Sequence, residues 1–270
     1  MMPLNIQMVF AFLFGLCIGS FLNVCIYRIP IKKSIVSPPS GCTSCGKKIG
    51  FYDNIPVLSY LILRGRCRYC HESISIMYPL IELVTGLLSV ALLIRFNIFN
   101  HQFYFYFIFM IFTAALLCVS FIDLRHQIIP DVISLPGIIA GFILSFFSSH
   151  ITWVHSLIGI LVGGGILYIV ALLFEVLMKK EGMGGGDIKL LAMIGAWLGW
   201  KAVPFVILLS SLTGLLLGGA SLVISRQGIR SRIPFGPFLS LSALIYIFYG
   251  NEIINWYFNI MLFGNTGNLY

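Results

Sequence analysis

Apolar residues form long continuous runs along this chain, and polar residues are concentrated in the segments between the runs. A helix needs roughly 20 apolar residues to cross the hydrocarbon core of a bilayer, and several runs approach that length. The pattern therefore predicts an all-α polytopic membrane protein with about eight transmembrane helices. The predicted spans are Phe10 to Ile29, Tyr78 to Ile94, Phe103 to Ile122, Val132 to Phe147, Trp153 to Leu177, Ile188 to Trp200, Ala202 to Ile224 and Phe235 to Tyr249.

Composition supports the same interpretation and excludes a soluble domain. Hydrophobic residues make up 59% of the chain and charged residues 10%, and the mean hydropathy is +0.99. The segment Leu4 to Ile29 has no basic residue ahead of it and no small-residue cleavage site, so we expect a true span and not a secretory signal. The run Ile188 to Trp200 is short enough to be tilted, broken or partly re-entrant.

Basic residues are distributed unequally among the loops. All 17 Lys and Arg residues except Arg95 and Lys201 fall in the loop after the first span and in alternate loops beyond it. Cytoplasmic loops carry the excess of Lys and Arg, so we expect the N-terminus outside, the long loop in the cytoplasm and the C-terminus outside. The same rule explains the net charge of +8, and a nucleic-acid partner is not needed to account for it.

The long polar loop contains two C-x2-C pairs, Cys42 with Cys45 and Cys67 with Cys70. Two such pairs supply the four thiolates of a tetrahedral zinc site, which would contribute folding energy to a loop with a small apolar core. Disulfides and a redox pair are the alternatives, and a reducing cytoplasm disfavours disulfides. We therefore predict a zinc-ribbon-like domain. Within it, the segment from Asp53 to Pro56 resembles a helix start with an N-cap.

Two aspartates, Asp123 and Asp187, lie where an apolar run meets a polar loop, and the predicted topology puts both at the cytoplasmic face. A carboxylate beside hydrocarbon is costly and is by default a functional-site hypothesis. Asp187 could instead cap a helix beginning at Ile188, whereas Asp123 ends its helix, where the macrodipole disfavours a carboxylate. Asp131 suits an N-cap. Glu82 inside the second span either faces the bundle interior, snorkels toward the cytoplasm or forms a site for a cationic substrate group.

Aspartic proteolysis needs two carboxyls so close that only one ionises, which lets one act as base on water while the other donates to the substrate carbonyl. Asp123 and Asp187 would form that pair. The glycines before Asp187 would let an extended substrate backbone approach closely. We expect the helix N-terminus to favour ionised Asp187 and the helix C-terminus to favour protonated Asp123.

Motifs along nearly the whole chain resemble the type IV prepilin peptidase family, also called prepilin leader peptidase/N-methyltransferase. They appear in the order in which that family carries them. The matching stretches are Gly19-Ser20-Phe21-Leu22-Asn23-Val24, both cysteine pairs, Asp53-Asn54-Ile55-Pro56, Tyr78-Pro79-Leu80-Ile81-Glu82, Phe121-Ile122-Asp123-Leu124, Gly184-Gly185-Gly186-Asp187 and Pro234-Phe235-Gly236-Pro237-Phe238.

The resemblance implies an enzyme of the bacterial inner membrane. It would remove the short basic leader of type IV prepilins or type II secretion pseudopilins, after Gly and before Phe. It would then methylate the new N-terminus from S-adenosylmethionine. By motif, Asp123 and Asp187 would be catalytic, and the four paired cysteines would hold structural Zn²⁺. Methyl-donor contacts are expected at Asp53, Asn54 and Glu72, and substrate contacts at Gly184, Gly185, Gly186 and Glu82.

We expect three domains: the first span over residues 1–29, a zinc-binding and methyltransferase-associated domain over 30–77, and a membrane aspartic peptidase over 78–270. Two functions of other classes compete with this reading. A proton- or cation-coupled transporter would use Asp123, Asp187 and Glu82 as a relay, and a non-catalytic scaffold for pilus assembly would use none of them. The transporter predicts internal repeats, and the sequence shows none.

Overall fold

The computed structural model describes residues 3–96, 103–148, 151–179, 184–218 and 234–263, and their regular structure is helical. A single-turn 3-10 helix, Phe51–Asn54, precedes α2, and a short π-helical stretch, Gly214–Gly218, continues α8. The α-helices are α1 Leu4–Arg28, α2 Leu58–Ile62, α3 Met77–Phe96, α4 Phe103–His126, α5 Asp131–Ser145, α6 Trp153–Met178, α7 Gly185–Leu198, α8 Ala202–Thr213 and α9 Gly236–Phe263.

Four of these helices, α1, α3, α4 and α6, are long and apolar enough to cross a membrane, and shorter apolar helices cover Asp131–Ser145, Ala202–Leu217 and Gly236–Gly250. The prediction of an all-helical multi-pass membrane protein is confirmed. The predicted end of one span at Ile224 lies outside the described residues, as do Lys180, Arg226, Arg230 and Arg232 from the loops used for orientation.

The chain forms two compact units, residues 1–122 and 123–270. In the first unit, α1 packs closely along α3 because small residues line their contact. A Cβ added to Gly15 would stand 2.7 Å from the Gly86 Cα, and one added to Gly19 would stand 2.6 Å from the Glu82 Cα. Close backbone approach of this kind is how helices associate in lipid. The Ser89 hydroxyl donates to the Ala11 carbonyl of α1 at 2.6 Å and adds a polar link.

In the second unit, α7 is the central helix, and every residue from Leu190 to Leu198 is buried. It packs against α5 and α6. The Ser156 hydroxyl of α6 donates to the Ala196 carbonyl at 2.8 Å, and the Trp197 indole N–H donates to the Gly137 carbonyl of α5 at 2.8 Å. Burial on all sides explains why a 14-residue helix carries so apolar a sequence.

Two local predictions are wrong. The segment Asp53 to Pro56 does not start a helix, because α2 begins at Leu58 after Val57 and has no side-chain cap. The Asp53 carboxylate instead accepts hydrogen bonds from Arg68, including one of 2.8 Å from Nε. Asp131 is not an N-cap either, since Pro130 holds that position and Asp131 is the first residue of α5.

The domain boundaries at residues 29 and 77 stay a prediction.

Candidate active site and cysteine cluster

Asp123 lies near the C-terminal end of α4, and its side chain is among the few buried carboxylates of the described chain, with 5% of the residue exposed. Its Oδ2 atom accepts a hydrogen bond of 2.9 Å from the backbone N–H of Gly236, the first residue of α9. The carboxylate is therefore held by a helix that is distant in sequence.

Asp187 lies in the first turn of α7, half-buried, directly after Gly184, Gly185 and Gly186. The helix begins at Gly185 and not at Ile188, and no side chain caps it. Among the described residues, a Cβ added to Gly185 would meet no atom within 4 Å, and one added to Gly184 would lie 3.9 Å from the Asp187 Oδ2. The described part of the chain therefore leaves the backbone of Gly184 and Gly185 uncovered.

Ile129, in the loop between α4 and α5, connects the two aspartates through packing. A Cβ added to Gly186 would stand 2.8 Å from the Ile129 Cβ, and one added to Gly236 would stand 3.3 Å from its Cδ1. The end of α4 and the starts of α7 and α9 thus converge around one side chain, with Asp123 on α4 and Asp187 on α7. Two carboxyls so placed are suited to share one proton and to act as acid and base on a water molecule.

A surface ion pair ties α7 to α5 close to this site. The Lys189 Nζ donates to the Asp131 Oδ1 at 2.7 Å, and both side chains are partly exposed. The pair lies at the first residue of α5 and two residues after Asp187. It fixes the start of one helix against the start of the other.

Glu82 is buried in α3 and accepts a hydrogen bond of 2.8 Å from the Val57 N–H. Val57 has φ of 61°, which is strained for a β-branched residue, and the Glu82 carboxylate holds its peptide group in place. Nearby, the Asn23 amide donates to the Tyr78 carbonyl at 3.1 Å. These bonds give Glu82 a structural task in the first unit, and its contact with substrate stays a prediction.

Cys42, Cys45, Cys67 and Cys70 form one cluster with all four Sγ atoms within 4.8 Å of one another. The Cys42 and Cys70 Sγ atoms are 3.7 Å apart. Zn–S bonds of about 2.3 Å in a tetrahedron place sulfur atoms about 3.8 Å apart, so the donor set and the spacing fit zinc. The cluster could bind a metal ion, and it lies between α1 and α3 as the sequence predicts.

The two cysteine pairs have the same pattern of backbone hydrogen bonds. The Cys42 N–H donates to the Lys47 carbonyl and the Gly46 N–H to the Cys42 carbonyl; Cys67 makes the corresponding bonds with Glu72 and His71. Backbone N–H groups of Cys45 and Ser44 point at the Cys42 sulfur and lower the pKa of that thiol to about 6. The thiolate is the form that binds metals.

A cavity of about 520 Å³ opens beside the second cysteine pair, and its lining includes Arg64, Arg66, Arg68 and His71. Of the residues expected to contact the methyl donor, Asp53 is bound to Arg68, which holds the pKa of the Asp53 carboxyl below its usual range. Asn54 and Glu72 are exposed.

Comparison with known proteins identifies the family. Residues 13–96 match the Bacterial Peptidase A24 N-terminal domain, and residues 110–219 match the Type IV leader peptidase family. The chain is 38% identical to the prepilin leader peptidase/N-methyltransferase of Pseudomonas putida over 88% of this chain and 89% of that protein. It is 37% identical to the protein of that name from Aeromonas hydrophila, over 91% and 92%. This chain belongs to the type IV leader peptidase family. No solved structure gives a significant match to it.

The resemblance predicted from the motifs is thus confirmed. Within this member of the family, the matched regions contain the cysteine cluster and both aspartates. Gly184, Gly185 and Gly186 lie beside Asp187.

Three contacts at the site were missed by sequence reasoning. Gly236 belongs to a quoted motif but received no role, and neither Ile129 nor the Asp131–Lys189 pair was singled out. The signal available for Gly236 was a glycine followed by proline ahead of an apolar run, which marks a helix start. Nothing in the sequence linked that start to Asp123.

Proposed function

We propose that this protein removes the leader peptide from type IV prepilins and methylates the N-terminus that cleavage exposes. The observation that carries the proposal is the convergence of the helix ends that carry Asp123 and Asp187 around Ile129, with the Gly185 backbone left uncovered by the described residues. Membership in the type IV leader peptidase family supports the substrate class. Pseudopilins of type II secretion, which share the leader and the apolar helix, belong to the same substrate class.

In the proposed mechanism, Asp123 and Asp187 share one proton. The ionised carboxylate removes a proton from water, the oxygen of that water attacks the scissile carbonyl carbon, and the protonated carboxyl donates to the carbonyl oxygen. Collapse of the tetrahedral intermediate breaks the C–N bond, and the leaving amine takes a proton from the pair. In this proposal the substrate backbone lies against Gly184 and Gly185.

The proposed topology has about eight spans, with the N-terminus in the periplasm and the aspartates and cysteine domain facing the cytoplasm of a bacterial inner membrane. The loop distribution of Lys and Arg supports it. A prepilin has a basic cytoplasmic leader followed by an apolar membrane helix. Its scissile bond would therefore lie at the same interface as the two carboxylates.

The proposed metal of the cysteine cluster is structural Zn²⁺, held by Cys42, Cys45, Cys67 and Cys70. The ion would supply folding energy to a segment with few buried apolar side chains. We also propose S-adenosylmethionine as the methyl donor, bound in the cysteine domain near Asp53, Asn54 and Glu72. The family's N-methyltransferase naming supports a methyl donor.

Leader cleavage and methylation are tested together by incubating the purified enzyme with a prepilin substrate, with and without S-adenosylmethionine, and measuring product mass. Asp123→Asn and Asp187→Asn should each abolish cleavage at normal abundance, whereas Glu175→Gln, an exposed carboxylate on α6, should leave it unchanged. Full cleavage by either Asn variant would reject the aspartic mechanism. It would favour the transporter or the scaffold, neither of which requires hydrolysis.

A further inference from the structure

The first turn of α9 has few backbone donors to offer. A helix N-terminus leaves its first N–H groups without intrahelical acceptors. Here Pro237 has no N–H, and the N–H groups of Phe238 and Leu239 both donate to the Phe235 carbonyl at 3.1 Å. The Gly236 N–H donates to the Asp123 Oδ2 at 2.9 Å. The donor that reaches the carboxylate therefore comes from one defined peptide group.

That peptide group must belong to glycine. A Cβ at position 236 would stand 2.7 Å from the Asp123 Oδ2, 3.3 Å from its Cγ and 3.3 Å from the Ile129 Cδ1. Carbon cannot approach a carboxylate oxygen so closely without displacing it. Any other residue would push Asp123 away from its N–H partner.

We propose that Gly236 is a positioning residue of the peptidase, whose N–H fixes Asp123 Oδ2 and leaves Oδ1 as the oxygen that exchanges a proton during hydrolysis. This inference rests on the proposed catalytic role of Asp123. An N–H hydrogen bond stabilises negative charge on the oxygen that accepts it, so the acidic proton is carried more favourably by the other oxygen of the carboxyl. The N–H thereby sets the orientation of the carboxyl plane.

Gly236→Ala tests the proposal in leader-cleavage kinetics. Losing a hydrogen bond to a charged group corresponds to a decrease in kcat of about 10- to 100-fold, with KM for the prepilin substrate unchanged, because the contact acts on the reacting carboxylate. Gly165→Ala on α6, where a Cβ meets no atom of the described residues within 4 Å, is the matched control and should keep wild-type kcat. Wild-type kcat in Gly236→Ala would overturn the proposal.

A second variant separates carboxylate positioning from simple packing. Ile129→Val removes the Cδ1 atom that a Cβ at position 236 would approach. In the double variant Gly236→Ala/Ile129→Val, the rate should stay low, since the contact with Asp123 remains. Recovery of kcat would mean that the glycine only makes room for Ile129, and the positioning role would be rejected.

If Gly236→Ala fails to accumulate, Asp123→Glu carries the test. The added methylene keeps the charge but moves the carboxylate off the Gly236 N–H, so kcat should fall about 10-fold or more. Near wild-type turnover would overturn the inference. Asp123→Asn, assayed in parallel, distinguishes failure of the proposed peptidase function from failure of the positioning role. An active Asn variant rejects the peptidase function, whereas an inactive Asn variant with an active Glu variant rejects the positioning role of Gly236.

Discussion

Three consecutive glycines on α6 provide a graded test of how α6 and α7 pack. A Cβ at Gly163 would stand 2.6 Å from the Leu191 carbonyl oxygen of α7, and one at Gly164 would stand 3.4 Å from the Ala192 Cβ. One at Gly165 would meet nothing within 4 Å in the part of the chain that the structure describes. Alanine at these positions adds the same methyl group to one helix at three different distances from its neighbour. The expected order of stability is therefore Gly165→Ala, then Gly164→Ala, then Gly163→Ala.

The expected changes in the free energy of unfolding follow from these contacts. At Gly163 the helices must separate locally by about 1 Å to restore ordinary contact, and overpacking of this kind costs about 1–3 kcal/mol. Weakening the Ser156 bond to the Ala196 carbonyl adds about 1 kcal/mol. At Gly165 the methyl group meets no described neighbour, and the higher helix propensity of alanine contributes up to about 1 kcal/mol of stabilisation.

Thermal unfolding of the purified protein in detergent measures this order. For a chain of this length, about 2–4 °C of Tm corresponds to 1 kcal/mol, so Gly163→Ala should lower Tm by roughly 4–16 °C while Gly165→Ala leaves it equal or slightly higher. Leader cleavage should fall with Gly163→Ala, because α7 carries Asp187. Equal Tm values for the Gly163 and Gly165 variants would refute the close packing of α6 on α7.

Three further outcomes are expected. Reversing either charge of the Asp131–Lys189 pair should lower leader-cleavage kcat by up to about 5-fold, since exposed pairs contribute at most about 1 kcal/mol. The double swap Asp131→Lys/Lys189→Asp should restore kcat, and failure to restore it would show that the pair does not act as a unit. Cys67→Ser should abolish bound zinc, measured by metal analysis, and zinc retention would contradict four-thiolate binding. Arg68 lowers the pKa of Asp53, so the ion pair stabilises the folded state fully above the unfolded-state pKa of about 3.9. This stabilisation is lost as the pH falls through the lower pKa of the folded state. The Tm difference between wild type and Asp53→Asn should therefore shrink toward zero in strong acid, and a constant difference would exclude the ion pair as its cause.

The helices were predictable because a membrane imposes one strong requirement. Every backbone polar group in lipid must be paired within the chain, so long apolar runs form helices whatever their neighbours. α6, predicted from Trp153 to Leu177, covers Trp153–Met178. The helix start predicted near Asp53 was wrong because a polar loop, unlike lipid, does not force the backbone to form a helix. In a polar loop the Asp53 carboxylate has competing partners, and Arg68, which is 15 residues distant in sequence, binds it.

The surroundings of the two aspartates were predictable only in part. Asp123 and Asp187 stand out from sequence because carboxylates are costly beside hydrocarbon, and both belong to the second unit. The bond between Asp123 and Gly236 joins residues 113 positions apart. Neither hydrophobic periodicity nor local capping rules carry information over that separation.

The start of α9 changes the electrostatic argument about which aspartate is charged. Considered with α4 alone, Asp123 lies at a helix C-terminus, whose dipole disfavours a negative charge. The N-terminal end of α9 presents its N–H to the same carboxylate and offsets that effect, while Asp187 lies in the first turn of α7. Both carboxylates therefore lie at the positive end of a helix. Helix dipoles alone therefore do not assign the proton to Asp123. The remaining difference is local: Asp123 has one oxygen bound by Gly236, whereas Asp187 follows Gly184 and Gly185, whose backbone the described residues leave uncovered.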